Sequence, residues 1–465
     1  MPATDALDIV ILAAGKGTRM RSSLAKVLHP VGGKPLLGHV IDTASAIGPR
    51  SINVVIGHQG ADVQAAFADR QINWVEQAEQ LGTGHAVGEA NKTLNGDGVV
   101  LVLYGDVPLV TEATMRAAAE AAIAGHVGLV TSEFSDAAEL GRIVREGGTI
   151  KSIVEYKDAD ESQRAITEIN SGIMAIPADE LSRWLKEIKP NNAQAELYLT
   201  DVIAMAVAED KDVIGISAEE TEVIGINDRT QLAEVERLYQ ARATQGLMLT
   251  GVSMADPSRV EIRGDVTAGE DCFIDINVVL AGKVSLGKNV TIGPGCVVQN
   301  SIIGDNTVLH PHTLVDGAKV AANCALGPFA RIRPETVLGD GVKIGNFVET
   351  KKSTLGAGTK ASHLAYLGDA TLGENCNVGA GAITANYDGV NKFETRAGDN
   401  VFVGTNVTMV APLQLEDWAF LAAGSTVIKN VGNNELAVGR GKQRNIPDWK
   451  RPDQQAAEPK DADET

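Results

Sequence analysis

A glycine-rich turn near the start of the chain contains the first residues whose types and spacing could do chemistry. The apolar run at residues 9–13 leads into the sequence AGKGTR, and Lys26 follows shortly after. Glycines behind a buried strand let backbone N–H groups approach a phosphate, and Arg19 and Lys26 would add positive charge there. The turn lacks the Gly-Lys-Ser/Thr ending of a Walker A loop and does not match GxGxxG. The spacing alone therefore leaves two interpretations open, a phosphate-binding loop and a structural turn.

A group of polar residues in the second half of the chain could serve a second chemistry, because none of them fits the aliphatic repeat around them. They are Arg333, Lys351, His363, Tyr366, Asn377 and Asn386. A histidine, with a reference pKa of about 6.5, can accept a proton near neutral pH, and an amine that attacks a thioester must lose one. A lone histidine in a repeat is more often an ordinary surface residue, so both interpretations remain open.

Apolar strand-like runs alternate with helical patterns through the first half of the chain. The strand candidates are the sequences DIVILAA, SINVVIG, GVVLVLYGD and GHVGLVTSE, and the helical patterns cover residues 35–46, 84–94 and 112–124. This alternation predicts a doubly wound, Rossmann-like α/β domain with a mostly parallel sheet at residues 1–228. Residues 229–251 are predicted to form a linker helix.

A different period governs the chain after about residue 252. Aliphatic residues recur every six positions from Val320 to Ile344, and aliphatic–glycine pairs recur throughout the region. Such hexads are typical of a parallel β-helix, in which each repeat supplies a short strand and a corner. The alternative is a glycine-rich β-sandwich with accidental spacing. The pattern predicts a hexapeptide-repeat domain at residues 252–465, with a polar loop at about 383–396 and a disordered acidic tail from about residue 453.

Composition limits the classes of partner. The formal net charge of −19 argues against general nucleic-acid binding and anionic membranes, since both favour a basic face. No apolar run reaches the roughly 20 residues that span a bilayer. Four cysteines without a CxxC pair argue against a disulfide framework or a zinc site, and we expect a cytoplasmic protein.

Sequence motifs along the first half carry a resemblance to a known family. LAAGKGTRM with Lys26 resembles the signature of the sugar-nucleotide pyrophosphorylases, and the likeness continues through EQLGTGHA, LYGDVPL, GRIV, IVEYKDA, EINSGI and Asn227. With the hexads included, nearly the whole chain resembles the bacterial bifunctional N-acetylglucosamine-1-phosphate uridyltransferases joined to glucosamine-1-phosphate acetyltransferases. The resemblance implies an enzyme of UDP-N-acetylglucosamine synthesis that acetylates glucosamine-1-phosphate and then transfers uridylyl from UTP, releasing pyrophosphate.

The resemblance implies a uridyltransferase site in the first domain. Gln77, Gly82 and Thr83 would contact uracil, and Asp106 with Asn227 would hold Mg²⁺, an ion that keeps few protein ligands. By spacing alone, the favoured interpretation of Asp106 is a solvated carboxylate or a helix N-cap. The nucleotide, sugar and charge-bearing positions are Leu12, Ala13, Ala14, Gly15, Arg19 (catalytic), Lys26, Gln77, Gly82, Thr83, Tyr104, Gly105, Asp106, Gly141, Glu155, Asn170 and Asn227.

The resemblance also implies an acetyltransferase site in the repeat domain, with His363 as the general base. The sugar-phosphate positions would be Arg333, Lys351, Tyr366, Asn377 and Asn386. The acetyl-CoA positions would be Ala380, Asn386, Tyr387, Thr405, Ala423 and Arg440. It further implies a left-handed helix and a homotrimer, with Mg²⁺ as cofactor, UTP and acetyl-CoA as co-substrates, and neither nucleic acid nor membrane insertion.

Three positions depart from the family's usual pattern. Ala25 replaces a proline before the signature lysine, and proline would stiffen that turn. Thr405 replaces a serine and keeps the hydroxyl, while Ala385 replaces a frequent cysteine and removes a reactive thiol.

Two other functions fit parts of the pattern. A uridyltransferase whose β-helix serves only for oligomerisation would need the first-domain motifs alone. Certain translation-initiation exchange-factor subunits resemble the same two modules without performing the chemistry. The complete loop with Lys26, Asp106 and Asn227 speaks against a non-catalytic subunit, and His363 with Lys351 speaks against a purely structural β-helix.

Overall fold

The computed structural model describes residues 6–456, which form two compact units. The first unit comprises the residues up to Ala268 together with Ile274–Val284, and the second comprises Gly269–Phe273 together with the residues from Ser285 onward. Within the described range, no helix is long and apolar enough to span a membrane. Both units bury aliphatic side chains.

The first unit alternates strands and helices. Its strands are β1 Leu7–Leu12, β2 Pro30–Val31, β3 Lys34–Pro35, β4 Ser51–Ile56, β5 Asn73–Glu76, β6 Val99–Tyr104, β7 Val127–Glu133, β8 Arg142–Glu146, β9 Thr149–Val154, β10 Glu168–Pro177, β11 Val213–Ser217, β12 Ser253–Met254 and β13 Val260–Ala268. Its helices are α1 Leu36–Ala46, α2 Gly60–Ala66, α3 Thr83–Asn91, α4 Glu112–Ile123, α5 Glu161–Arg164, α6 Ala178–Trp184, α7 Asp201–Ala208, α8 Glu220–Val223 and α9 Arg229–Leu249. Short 3-10 turns lie at Thr18–Met20, Lys26–Leu28 and Pro257–Arg259.

A central sheet runs in the order β11-β7-β10-β6-β1-β4-β5, with β8 and β9 attached beside β10. β1 is parallel to β4 and β6, whereas β10 is antiparallel to β6 and β7. Ile9 and Ile11 belong to one buried cluster and Val10 to another, so both faces of the sheet are covered. A sheet covered on both faces requires nearly continuous apolar strands, which is the observed sequence pattern. The predicted doubly wound α/β fold is confirmed.

Helix α9 packs against the rest of the first unit. Asp228 caps it, because its side chain accepts hydrogen bonds from two backbone N–H groups of the first turn. Val235 is buried in an apolar cluster with Leu36, and a Cβ on Gly32 would come within 2.0 Å of the Tyr239 ring. This helix covers most of the segment predicted as a linker.

The repeat region consists of short strands. They are β14 Phe273–Ile274, β15 Val278–Leu286, β16 Thr291–Ile292, β17 Val297–Gln299, β18 Ile302–Ile303, β19 Val308–Leu309, β20 Leu314–Asp316, β21 Lys319–Val320, β22 Ala325–Leu326, β23 Arg331–Ile332, β24 Val337–Leu338, β25 Lys343–Asn346, β26 Glu349–Leu355, β27 Lys360–His363, β28 Tyr366–Leu372, β29 Asn377–Val378, β30 Ile383–Ala385, β31 Thr395–Ala397, β32 Phe402–Val403, β33 Thr408–Val410, β34 Leu413–Leu415, β35 Phe420–Leu421, β36 Thr426–Val427 and β37 Leu436–Ala437. Helix α10 spans Pro452–Ala456, so residues 453–456 of the predicted disordered tail are helical. The remainder of that tail lies outside the described residues.

Strands of the repeat region stack in parallel at a nearly constant spacing. Thr291 pairs with Val308 and Val308 with Ala325, a spacing of about 17 residues, close to three hexads per coil. The inward neighbours Ile292 and Leu309 are fully buried, as their aliphatic type predicts. Three short strands in each coil give the prism three sides. The predicted left-handed parallel β-helix of hexapeptide repeats is confirmed.

One inserted loop interrupts the coils. Tyr366 pairs with Ile383, but the next partner of Ile383 is Thr408, a longer step along the chain. Because β30 and β31 keep their parallel pairing, the inserted loop consists of residues 386–394. It is therefore shorter than the predicted interruption at about 383–396.

Candidate active sites

Turns from three strands meet at the carboxyl edge of the sheet in the first unit. The Gly105 N–H donates to the last carbonyl of β1 at 2.9 Å, and the Ala13 N–H donates to the carbonyl of Val55 in β4 at 2.8 Å. The Gln77 N–H donates to the last carbonyl of β4, also at 2.8 Å. The turns after β1, β5 and β6 consequently lie side by side, at the edge where open α/β sheets bind ligands.

These turns line a cleft of about 260 Å³. The predicted residues that line it are Leu12, Ala13, Ala14, Gly15, Lys26, Gln77, Gly82, Thr83, Tyr104 and Asp106. Helix α3 begins at this cleft, with Gly82 before it and Thr83 as its first residue. The free N–H groups of a helix N-terminus favour negatively charged ligands.

The two glycines of the AGKGTR turn have different roles. Gly17 has a left-handed backbone with φ of +57°, and a Cβ there would lie 2.7 Å from the Cβ of Lys26. A Cβ on Gly15 would meet nothing within 4 Å. The fold therefore needs glycine at position 17, whereas position 15 leaves open space for a ligand.

Lys26 contacts both predicted Mg²⁺ ligands. Its Nζ lies 2.5 Å from Oδ2 of Asp106 and 2.9 Å from Oδ1 of Asn227. The two oxygens thus converge on one cation, and the side chains of Lys26 and Asp106 are only 14% and 19% exposed. Such oxygens suit Mg²⁺, which takes its other ligands from phosphates and water. Among residues 6–456, no cluster of three or more His, Cys, Asp or Glu side chains could hold a metal without further ligands.

The predicted sugar-binding residues lie beside Tyr104 and outside the lining of the main cleft. The Asn170 N–H donates to the carbonyl of Gly141 at 2.9 Å, and a Cβ on Gly141 would lie 3.3 Å from each carboxylate oxygen of Glu155. Burial raises the pKa of Glu155. Burial also raises the pKa of Tyr104, and the charges of Glu155 and Asp106 add to that shift, so this phenol lies near both carboxylates.

Arg19 lies at the border of the predicted site. It lines two adjoining clefts, one shared with Asn227 and one shared with Glu155, and Glu139 lines both. Its side chain is exposed and, in the part of the chain that the structure describes, forms no ion pair. The guanidinium is therefore available to a ligand at the mouth of the site.

Two polar residues of the main cleft were missed by the sequence analysis. Gln80 donates from Nε2 to the carbonyl of Ala14 at 2.7 Å and so holds the turn after β1. Its position inside the EQLGTGHA motif was a usable signal. Glu196 also lines the cleft but belongs to an irregular segment with no periodic pattern.

Four of the six predicted acetyl-CoA residues form a column along one corner of the β-helix, namely Ala380, Thr405, Ala423 and Arg440. Backbone hydrogen bonds of 2.8 Å connect the coil of Ala380 to the coil of Thr405. Hydrogen bonds of the same length connect the coil of Thr405 to the coil of Ala423. Arg440 follows on the next coil, and its Nη1 donates to the carbonyl of Ala423 at 2.6 Å. His363 lies one coil before Ala380. Four coil steps of about 4.8 Å make this column about 19 Å long, which suits an extended ligand.

His363 is exposed at the end of β27. Its Nδ1 lies 2.7 Å from Oδ1 of Asn346 on the preceding coil. With Oδ1 of Asn346 as the acceptor, Nδ1 carries the proton and Nε2 keeps a free lone pair. A general base needs such a lone pair. Asn346 was missed because no sequence motif links it to His363.

Three cationic side chains gather on the second unit. Arg333 forms an ion pair with Glu349, with 2.6 Å between Nη1 and Oε1. Contact with Lys392 lowers the pKa of Lys351, and the charge of Arg333 lowers it further. Crowded like charges favour a bound anion. Lys392 belongs to the inserted loop and was also missed by the sequence analysis.

Tyr366 and Asn386 lie near this cationic group. The Tyr366 hydroxyl lies over Gly368, the residue that pairs with Lys351 in the next coil. Asn386 is buried, and its Nδ2 donates to Oδ2 of Asp369 at 2.5 Å. The structure therefore brings these two predicted residues to the coil levels of the cationic group.

The other predicted residues divide between two places: Tyr387 forms an isolated antiparallel bridge with Lys392 of the cationic group, whereas Asn377 lies with His363. Asn377 belongs to β29, which continues the ladder of β27 and His363 and lies in a different sheet from Lys351. Tyr387 is exposed on the inserted loop. One chain thus presents the cationic group and the His363 column on separate sheets.

Comparison with known proteins agrees with both units. Residues 9–170 match the family described as MobA-like NTP transferase domain, residues 262–348 the GMPPB C-terminal domain, and residues 395–429 the hexapeptide repeat of succinyl-transferase. The fold and these matches define a nucleotidyltransferase joined to a hexapeptide-repeat acyltransferase.

Full-length relatives give the family. The bifunctional protein GlmU of Marinobacter nauticus is 51% identical over 96% of this chain and 99% of its own length. The bifunctional GlmU proteins of Pseudoalteromonas atlantica and Alkalilimnicola ehrlichii are 49% and 50% identical, over 96% and 97% of this chain and 99% and 97% of their own lengths. The chain belongs to the family of bifunctional GlmU proteins.

Membership in this family confirms the predicted type of function. The chain is a bifunctional enzyme that performs acetyl transfer and uridylyl transfer. Its substrates are accordingly sugar nucleotides and their precursors together with an acyl-CoA.

Proposed function

We propose that the first unit transfers uridylyl from UTP to N-acetylglucosamine-1-phosphate. A phosphate oxygen of the sugar phosphate attacks the α-phosphorus of UTP in line, and the bond to pyrophosphate breaks as the new P–O bond forms. The convergence of Lys26, Asp106 and Asn227 supports this most, because it provides a shielded cation site beside the nucleotide cleft.

Charge neutralisation and positioning would be the main contributions of this unit. Asp106 and Asn227 would hold Mg²⁺, which would neutralise phosphate charge when bound. Lys26 would move its ammonium from these oxygens to a phosphate, and Gly15 would leave room for the nucleotide. Arg19 would hold the leaving pyrophosphate, because no described carboxylate engages its guanidinium.

We assign acetylation of glucosamine-1-phosphate to the second unit. The sugar amine attacks the thioester carbonyl of acetyl-CoA, the C–N bond forms, and the C–S bond breaks to release CoA. Nε2 of His363 takes the proton that the amine loses and returns a proton to the leaving thiolate. Arg333, Lys351 and Lys392 would hold the sugar phosphate, and Tyr366 would border it.

Acetyl-CoA would extend along the column from Ala380 to Arg440. Since one chain presents this column and the cationic group on separate sheets, we propose that a homotrimer completes the site between neighbouring chains, with the inserted loop contributing Asn386 and Tyr387. Chains carrying His363→Ala, mixed after subunit exchange with chains carrying Asn386→Ala, should regain part of the acetyl transfer. Mixed trimers without recovered activity would place each complete site within one chain.

The deciding experiment follows each product separately. The full chain with glucosamine-1-phosphate, acetyl-CoA, UTP and Mg²⁺ should release CoA first and then pyrophosphate. Without acetyl-CoA, pyrophosphate should appear only when N-acetylglucosamine-1-phosphate is supplied. Pyrophosphate release from the acetylated sugar phosphate without any acetyl transfer would favour a uridyltransferase with a structural β-helix.

We also propose that the enzyme works in a reducing compartment, as expected for the cytoplasm. Cys272, Cys324 and Cys376 are buried free thiols. Free thiols persist where disulfides are kept reduced.

A further inference from the structure

His85 contacts Gln77 from behind the nucleotide cleft. Gln77 lines the cleft and is only 4% exposed. Its Nε2 lies 3.2 Å from the carbonyl oxygen of Gly82 and 3.1 Å from Nδ1 of His85. His85 is the third residue of α3 and is not among the residues that line the cleft.

Both hydrogens of the Gln77 carboxamide are used inside the protein. The carbonyl of Gly82 can only accept, so Nε2 and not Oε1 must face it. The second hydrogen then points to Nδ1 of His85, which must be unprotonated to accept it. Neutral His85 consequently carries its proton on Nε2, which lies 3.3 Å from Oε1 of Glu89, one turn further along α3.

This arrangement leaves one polar atom of Gln77 for a ligand. Oε1 has no hydrogen-bond partner among the described residues, and a carboxamide oxygen can only accept. N3 of uracil is a donor, whereas N3 of cytosine is an acceptor. An oxygen at this place therefore favours uracil and leaves cytosine with two opposed acceptors, a mismatch that a polar site rejects strongly.

We propose that His85 is a positioning residue that gives the uridyltransferase site its preference for uracil over cytosine by fixing the direction of the Gln77 carboxamide. This inference rests on the proposed function, in which Gln77 contacts the base. Without the acceptor at Nδ1, only the carbonyl of Gly82 still holds Nε2, so the carboxamide is less firmly fixed and more often presents Nε2 to the base. That rotation weakens UTP binding and improves CTP binding.

The test compares kcat/KM for UTP and CTP in the full chain. His85→Phe should lower the ratio of UTP to CTP by about tenfold, the effect of a misdirected hydrogen bond. His85→Asn should largely restore the ratio, because its Oδ1 can accept where Nδ1 did. His126→Phe is the matched control and should leave the ratio unchanged. His126 precedes β7, which runs parallel to β6, so it lies at the sheet edge opposite the cleft.

The outcomes separate this inference from the proposed function. Equal losses with UTP and CTP in His85→Phe would overturn the positioning role. A wild-type chain that transfers no uridylyl, or that does not prefer UTP, would instead overturn the proposed function. Nitrogen-15 NMR of the wild-type chain tests the inference without any variant. Neutral His85 should show an unprotonated Nδ1 and a protonated Nε2, and the opposite tautomer would overturn the inference.

Discussion

The two units assemble their candidate sites in opposite ways. In the first unit, residues far apart in sequence meet because parallel strands end at the same sheet edge. In the second unit, residues about one coil apart in sequence line up along a corner. Their order along the chain is therefore also their order along the β-helix. The first arrangement forms a cleft within one chain. The second presents groups along a line and leaves the cationic group and His363 on separate sheets.

The largest expected effect tests whether the column and the cleft act independently. His363→Ala should lower acetyl transfer by about 10²–10⁴-fold, the usual contribution of a general base. Uridylyl transfer from supplied N-acetylglucosamine-1-phosphate should remain, because His363 is exposed and outside the aliphatic core. Separate assays of CoA and pyrophosphate release measure both. A parallel loss of uridylyl transfer would contradict the independence of the two sites.

The reciprocal change in the first unit should have the next largest effect. Asp106→Asn keeps the shape of the side chain but removes the charge that faces Lys26, so uridylyl transfer should fall by about 10²–10³-fold. Acetyl transfer should be unchanged. Full uridylyl transfer at saturating Mg²⁺ would show that this carboxylate does not hold the metal.

Lys392 tests whether the inserted loop belongs to the second site. Lys392→Met should raise KM for glucosamine-1-phosphate by about tenfold, since a charged hydrogen bond is lost. In the wild type, neighbouring Lys392 lowers the pKa of Lys351, so sugar-phosphate binding should weaken as pH rises through that lowered value. In the variant, the loss of sugar-phosphate binding at alkaline pH should occur at a higher pH. Lys319→Met, an exposed change on an earlier coil, should shift neither quantity.

The two glycines of the first turn separate folding from binding. Gly17→Ala should lower the free energy of unfolding by about 1–2 kcal/mol, because a left-handed backbone disfavours a side chain. Gly15→Ala should leave that free energy unchanged and raise KM for UTP. Urea unfolding and uridylyl-transfer kinetics measure the two effects. Unchanged UTP kinetics in Gly15→Ala would leave this turn as a structural feature alone.

The smallest expected effect concerns Ala25. Its φ of −55° is one that proline adopts readily. Ala25→Pro should therefore raise the free energy of unfolding by about 0.4–1 kcal/mol through the unfolded state. A thermal melt checks this, and a lowered melting temperature would show that proline strains the turn before Lys26.

Local patterns predicted those parts of the molecule that depend on neighbours in the chain. The strand ends that carry Gly15 and Asp106 follow apolar runs, and the hexads that carry Thr405 and Arg440 repeat at coil length. The border position of Arg19 was not predictable, because it depends on the direction of the short 3-10 turn at Thr18–Met20.

By itself, the amino-acid sequence determined both fold types, the order of the two units, and most of the residues that line the main cleft and the column from Ala380 to Arg440. Only the tertiary structure decided which side chains meet. Lys26 contacts Asn227 across 201 positions of the chain, and Lys392 lies beside Lys351 only because the inserted loop folds back over the coils. The spacing of buried residues along the sequence and the type of each turn are local properties of the chain. Contacts between distant residues depend on how a whole unit packs, and no local pattern records that packing.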